Sequence, residues 1–164
     1  MRGNRNGSRG KDNERRLAKR YGFLKVGQLG DAVDLLGADV KVQAKHTKRR
    51  APAALERAVA GRGWARLDIL PAYVSEPLWA MDGLYPDRIP VVVWSYGGHR
   101  PTRDYFYVRA RQMYALHGWP EGYTLPGWLV MTGQYWLENH GREGYNPPDR
   151  MVSLELAPEN PGAE

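Results

Sequence analysis

The chain has 164 residues, 42 % of them hydrophobic and 26 % charged, and it contains no cysteine. That length sustains one domain with its own core, and the missing thiols exclude disulfides, cysteine-bound zinc and iron–sulfur clusters and fit a reducing compartment. No apolar run approaches the roughly 20 residues of a membrane span and no secretory signal opens the chain, so a cytoplasmic protein with no membrane partner is expected.

The net charge of +6 is unevenly spread. Residues 1–50 carry 14 Lys/Arg against 5 Asp/Glu, and the remainder is acidic on balance. Arginine outnumbers lysine 18 to 6, and guanidinium grips phosphate through a bidentate fork. A basic N-terminal third implies a polyanionic partner, nucleic acid first. A solubilising charge run is the plainer alternative.

Residues 1–10, "MRGNRNGSRG", predict a flexible basic arm. "KDNERRLAKRYG" predicts a helix capped by Asp12 or Asn13, with Leu17 and Ala18 inward and Gly22 as its stop. "FLKVGQL" predicts a strand, and Gly30 and Asp31 turn the chain into "VDLLGADVKVQAKH". This is a hairpin, with Gly37, Ala38 and Asp39 as its turn. Val40, Val42 and Ala44 alternate with Lys41, Gln43 and Lys45, so a period of two sends the two sets to opposite faces. Pairing brings Asp34 to the side of Gln43 and Lys45. A solvated outer face on a half-buried hairpin explains the same pattern.

Beyond Lys48, Arg49 and Arg50, "APAALERAVAGRG" predicts a second helix, with Pro52 in its first turn and Gly61 near its end. Residues 64–90 are proline-rich and predict a long structured connection with one helical turn. "PVVVWSYG" predicts a buried strand, "DYFYVRA" its hairpin partner and "RQMYALHG" a short helix. Residues 11–117 therefore predict an α/β domain, a mixed central β-sheet flanked by helices. Residues 118–155 form an aromatic-rich extension packed on the domain or on a partner subunit, and 156–164 a disordered tail.

A Glu-bearing helix, a strand and turn leading to Asp34, and Gln43-Ala44-Lys45 nine residues later resemble the PD-(D/E)XK nuclease superfamily. More narrowly, the pattern is similar to archaeal-type Holliday junction resolvases and their phage-encoded relatives. The resemblance follows element order over residues 5–115 and motif detail over residues 8–50. It implies a restriction-endonuclease-like sheet, a homodimer, four-way or otherwise branched DNA as partner, and a prokaryotic or phage-infected cell. It also implies Mg2+, with Mn2+ as substitute.

The chemistry gives these residue types a reason. Phosphodiester cleavage needs an activated water and neutralisation of extra negative charge on phosphorus. Hard divalent cations serve both needs and choose oxygen ligands. The resemblance makes Asp34 the central metal carboxylate, with Glu14 supplying a second and the Ala44 carbonyl completing that edge. Gln43 stands where the family usually has Glu or Asp, which puts metal affinity in doubt and leaves a binding-only protein open. Lys45 orients or activates the water and stabilises phosphate charge. Asp31 competes with Asp34 for the ligand role. Arg5, Ser8, Arg9, Arg15, Lys48, Arg49 and Arg50 are the expected DNA contacts. A general or nicking endonuclease of the same superfamily is the nearest rival. His46 is read as structural. Trp128, Tyr135 and Trp136 are core or interface first and base-stacking platforms second.

Overall fold

The computed structural model describes residues 2–26, 32–97, 103–112 and 127–140. Seven strands form one mixed sheet in the order β1-β2-β3-β5-β6-β7-β4. In chain order the elements are helix α1 (Arg2–Tyr21), β1 (Leu24–Lys25), β2 (Leu35–Leu36), β3 (Val40–Thr47), α2 (Ala53–Val59), β4 (Trp64–Leu67), α3 (Ala72–Ala80), β5 (Ile89–Tyr96), β6 (Asp104–Arg109), β7 (Trp128–Thr132) and α4 (Gly133–His140). Only β3 and β5 pair in parallel; every other neighbouring pair is antiparallel. The fold is thus α/β, a mixed sheet flanked by helices.

Two cores explain the layers. Leu17 and Tyr21 of α1 and Trp136 of α4 pack on Val42, Val91, Val93 and Phe106 from one side of the sheet. Val59 of α2 and Val74 and Leu78 of α3 pack on Val92, Tyr105, Tyr107 and Val130 from the other. Alternate residues of β5 and β6 feed opposite cores, as a period of two requires, while Val40, Val42 and Ala44 of β3 feed the α1 side. Each fully buried aliphatic contributes about 1.5–3 kcal/mol.

Gly22 ends α1 with φ 73°, and the Phe23 N–H reaches back to the Ala18 carbonyl at 3.0 Å. This is the glycine stop expected of that sequence. Several expectations are corrected. The stretch 1–10, expected as an arm, supplies the first turns of α1 from Arg2 onward. Packing of Leu17 and Tyr21 anchors the helix, no proline interrupts it, and each added residue then gains one hydrogen bond. Residues 64–90 hold a strand, β4, and a nine-residue helix, α3. The stretch 118–155 is not merely an appendage, because β7 sits inside the sheet between β6 and β4. Lys41 was expected on a solvated face, yet α3 and its following turn cover it. Its Nζ donates to the carbonyls of Met81 at 2.8 Å and Leu84 at 2.5 Å. Finally, the β5–β6 hairpin spends its aromatic surface inside the monomer, with Tyr105, Phe106 and Tyr107 all buried. The short helix expected after it is described only through residues 110–112, and the tail lies outside the described residues.

Candidate active site

Asp34 sits where the β2–β3 ladder loses its regular register. Leu35 is the partner of Val42, yet the Asp34 N–H also donates to the Val42 carbonyl, at 2.9 Å. Two residues therefore face one, which defines a β-bulge. The burial pattern agrees. Strict alternation would put Val33 and Leu35 in one core, but Val33 packs with the α2–α3 side and Leu35 with the α1 side. The bulge turns the Asp34 side chain toward β3. Its Oδ2 accepts the Ala44 N–H at 2.9 Å, in place of a ladder carbonyl. Its own carbonyl accepts the Val26 N–H at 3.0 Å, which ties the segment to β1.

Three charged groups converge there. Glu14 of α1 hydrogen-bonds with Asp34 and acts on it as a second negative charge, and Lys45 acts on it as a positive one. Burial pushes the Asp34 carboxyl up to about 6, opposed by the Ala44 N–H, reinforced by Glu14 and opposed again by Lys45. A second negative charge beside a half-buried carboxylate disfavours its ionisation. Lys25 of β1, which the sequence reading passed over, lies 3.7 Å from Glu14 Oε2 through its Nζ. The alternation that made Lys45 a candidate applies equally to strand neighbours two residues apart, but Lys25 belongs to a two-residue strand that shows no alternation.

Lys45 is in register with Trp94, whose ring packs on the α2–α3 side. Gln43 points to that same face by alternation. Its Oε1 is buried with no hydrogen-bond partner among the described residues, the only buried side-chain atom of that kind among them. A buried amide oxygen without a donor costs roughly 1–3 kcal/mol. An oxygen of this kind and the Asp34 and Glu14 carboxylates are each hard-cation ligands by type, although Gln43 lies on the α2–α3 face and Glu14 comes from α1 on the other. Among the described residues no group of three or more His, Asp or Glu could hold a metal ion. Ala44 contributes its N–H to Asp34, while its side chain joins the α1-side core.

The expected DNA contacts separate into groups. Lys48, Arg49 and Arg50 are exposed at the end of β3, and Arg50 is engaged by Glu56 through two 3.2 Å hydrogen bonds. Arg15 is exposed on α1, 3.7 Å from Asp12. Arg5, Ser8 and Arg9 ride on the first turns of α1, and their side chains lie outside the described residues. So does Asp31. His46 is half-buried on the α1 side. Trp136 is buried and stacked on Phe106 at 4.6 Å, which makes it core. Trp128 is half-buried with the Arg109 guanidinium 5.1 Å over its ring.

One constellation left no trace in the sequence reading. Asp104, fully buried at the start of β6, accepts five hydrogen bonds. Arg16 donates twice, at 2.8 and 3.2 Å, Arg20 once at 3.1 Å, Tyr21 once at 2.5 Å and Ser95 once at 2.7 Å. Arg16 also donates to Asn13 Oδ1 at 2.8 Å. Burial, with the Asp104 carboxylate beside it, pushes the Tyr21 hydroxyl far above its ordinary pKa. Four of these residues lie on α1 and bracket Glu14, so the knot sets the rotation of the helix and hence the aim of Glu14. No helix among the described residues is long and apolar enough to cross a membrane. Comparison with protein families, with curated proteins and with solved structures finds no match to this chain.

Proposed function

We propose that the protein is a metal-dependent DNA endonuclease that cleaves branched DNA in the manner of a Holliday junction resolvase. The observation that carries this reading is the bulge-aimed carboxylate of Asp34, with Glu14 and Lys45 in electrostatic reach and the Ala44 N–H fixing its orientation. The strongly basic first 50 residues support a nucleic-acid substrate. Junction preference and a homodimer rest on the resemblance of the Asp34 and Gln43-Ala44-Lys45 pattern to the resolvases.

Asp34, Glu14, the Gln43 amide oxygen and the Ala44 carbonyl would hold Mg2+ or Mn2+. When bound, such a cation supplies Lewis-acid polarisation of the phosphate and a more acidic water. The chain's own residues divide the remaining work. Asp34 and Glu14 bring negative charge that stays fixed in direction, because the Ala44 N–H holds one carboxylate and the Asp104 knot holds the helix bearing the other. Lys45 offers its ammonium to the extra negative charge of the transition state and orients the attacking water. Lys48 and Arg49, exposed beyond β3, bear on the phosphate backbone next to that point.

A second reading has its own observation. Gln43 is neutral where the resolvases usually carry a carboxylate, so an inactive DNA-binding protein is the alternative. A cleavage assay on four-way, flap and linear DNA with Mg2+, Mn2+ or chelator separates the readings. Metal-dependent cleavage of the junction supports the proposal. Cleavage of all three DNAs alike points to a general endonuclease, and binding without cleavage to the inactive form.

A further inference from the structure

Beyond the C-terminal end of β3, a cavity of about 500 Å3 opens among α2, α4 and the ends of β5 and β6. Its volume lies in the range of about 300–1,000 Å3 typical of small-ligand sites. We propose that this cavity receives one unpaired nucleotide of the DNA strand, next to the candidate active site. The proposal deepens the endonuclease reading and rests on it for the identity of the polymer.

Charge comes first. Arg50, Arg62 and Arg103 line the cavity together with two acids, Glu56 and Glu138. Glu56 is bound by Arg50 through both carboxylate oxygens. Glu138 accepts from Gln134 at 2.9 Å. Arg62 is braced, with its guanidinium 4.1 Å over the Trp64 ring and its Nε donating to the Trp64 carbonyl at 3.0 Å. Neither contact uses its terminal nitrogens, which are the pair that engages a phosphate. Arg103, exposed, also lines the cavity and acts as a positive charge on Glu56. The cavity thus presents one net positive charge on arginine rather than lysine, which suits a single phosphate group.

Shape comes second. Tyr96, Tyr105 and Tyr135 line the cavity; the first two are buried in the core, so the half-buried Tyr135 is the ring that a base would meet. A glycine at Gly63, with φ 82°, lets the α2–β4 turn pass close to Tyr135; an added Cβ would stand 3.2 Å from the Tyr135 Cβ. Position comes third. Tyr96 is in register with Thr47, two residues past Lys45 on the same face, about 7 Å along the strand. A strand whose phosphate lies at Lys45 therefore passes the mouth of the cavity. A nucleotide inside a duplex would have to leave its stack to enter, at a cost of a few kcal/mol, whereas one already unpaired at a branch point enters without that cost.

The test is binding in metal-free buffer, so that no result depends on cleavage. Fluorescence anisotropy compares a short oligothymidylate, a duplex of equal length and free thymidine monophosphate on the wild type, Arg62→Ala, Arg103→Ala and the cavity-filling Gln134→Trp, with thermal melting to establish folding. Each folded variant is expected to lose about tenfold in affinity for the single strand and less than about twofold for the duplex. Equal losses on both DNAs would make the arginines general phosphate contacts and overturn the proposal, as would no loss on either. Free thymidine monophosphate binding as tightly as the oligonucleotide would overturn the assignment to a strand. Failure of the wild type to cleave any DNA with Mg2+ or Mn2+ sinks the endonuclease reading separately and leaves the binding result standing.

Discussion

The Ala44 N–H donates to the Asp34 carboxylate at 2.9 Å, at the one place where the β2–β3 ladder carries an extra residue. A side chain thus replaces a backbone acceptor, and a single hydrogen bond holds the carboxylate against β3. Losing the charge while keeping the acceptor isolates its chemistry. Asp34→Asn is expected to abolish cleavage and to preserve or slightly raise DNA affinity, since repulsion of phosphate falls. Wild-type cleavage by this variant in a junction assay would move the metal role elsewhere, Asp31 first.

The same carboxyl makes stability depend on pH. Its folded pKa, pushed up to about 6, lies above the ordinary value near 3.9. The folded state therefore binds the proton more tightly, and this group's contribution is fully present below about pH 4 and lost as pH rises to about 6. Asp34→Asn should then melt higher than the wild type at pH 7.5 and show no such advantage at pH 4. Added Mn2+ should raise the wild-type melting temperature at pH 7.5, fade as pH falls through 6, and leave the variant unmoved. Equal metal effects on both proteins would remove Asp34 from the cation site.

Gln43 tests the missing charge. Gln43→Glu restores the resolvases' usual ligand and should lower the Mg2+ concentration needed for half-maximal cleavage. Without metal it should also destabilise the fold, because it puts a charge where a buried oxygen already lacks a donor. Gln43→Leu removes the unpartnered amide oxygen and should lose cleavage while melting no lower than the wild type. Lys45→Ala should slow cleavage by roughly 10²- to 10³-fold, the scale of one lost transition-state donor. Metal titrations and single-turnover rates read these outcomes, and a loss of about tenfold or less would demote Lys45 to a solvated side chain.

How far the site was legible follows from the range of each signal. The alternation of Val40, Val42 and Ala44 with Lys41, Gln43 and Lys45 is local, and the first three do share the α1-side core, although burial along β3 does not alternate because Lys41 is covered as well. The bulge is a one-residue slip between two strands, so neither strand alone announces it. The partners of Asp104 lie up to 88 residues away, and an Asp at the head of "DYFYVR" reads as turn material. Burial of Lys41 was hidden for a similar reason, since its acceptors are carbonyls after a helix that proline-rich sequence disguised. β7 has an apolar run, "WLVM", but its place between β6 and β4 is decided by long-range pairing alone.

Asp104 should behave as a buried charge with partners, not as a surface acid. Removing it leaves Arg16 and Arg20 facing an apolar gap. Asp104→Ala should cost about 3–5 kcal/mol of stability, the scale of breaking a buried pair by removing one partner. Arg20→Ala, which removes one of five bonds, should cost less, and both are read by urea unfolding. A loss below about 1 kcal/mol for Asp104→Ala would mean that water replaces the network.

The last expectation concerns assembly. A symmetric four-way junction offers two equivalent scissile strands, so a two-fold dimer sets one site on each. Tyr105, Phe106 and Tyr107 of the β5–β6 hairpin are buried within the monomer. Doubling the basic first 50 residues by symmetry would give two positive faces. Phosphate contacts alone do not distinguish a junction from a duplex, since both are polyanions. Preference must come from the spacing of two sites and from the first turns of α1, which carry Arg2, Arg5 and Arg9. Light scattering should return twice the 18.6 kDa chain mass, and competition at near-physiological salt should favour junction over duplex of the same sequence. Deleting residues 1–10 should weaken that preference and flatten the salt dependence, because phosphate-contacting cations are removed. A monomer with equal affinity for both DNAs would sink the resolvase reading while leaving a general endonuclease. A truncation that changes neither quantity would confine the first turns of α1 to a structural part.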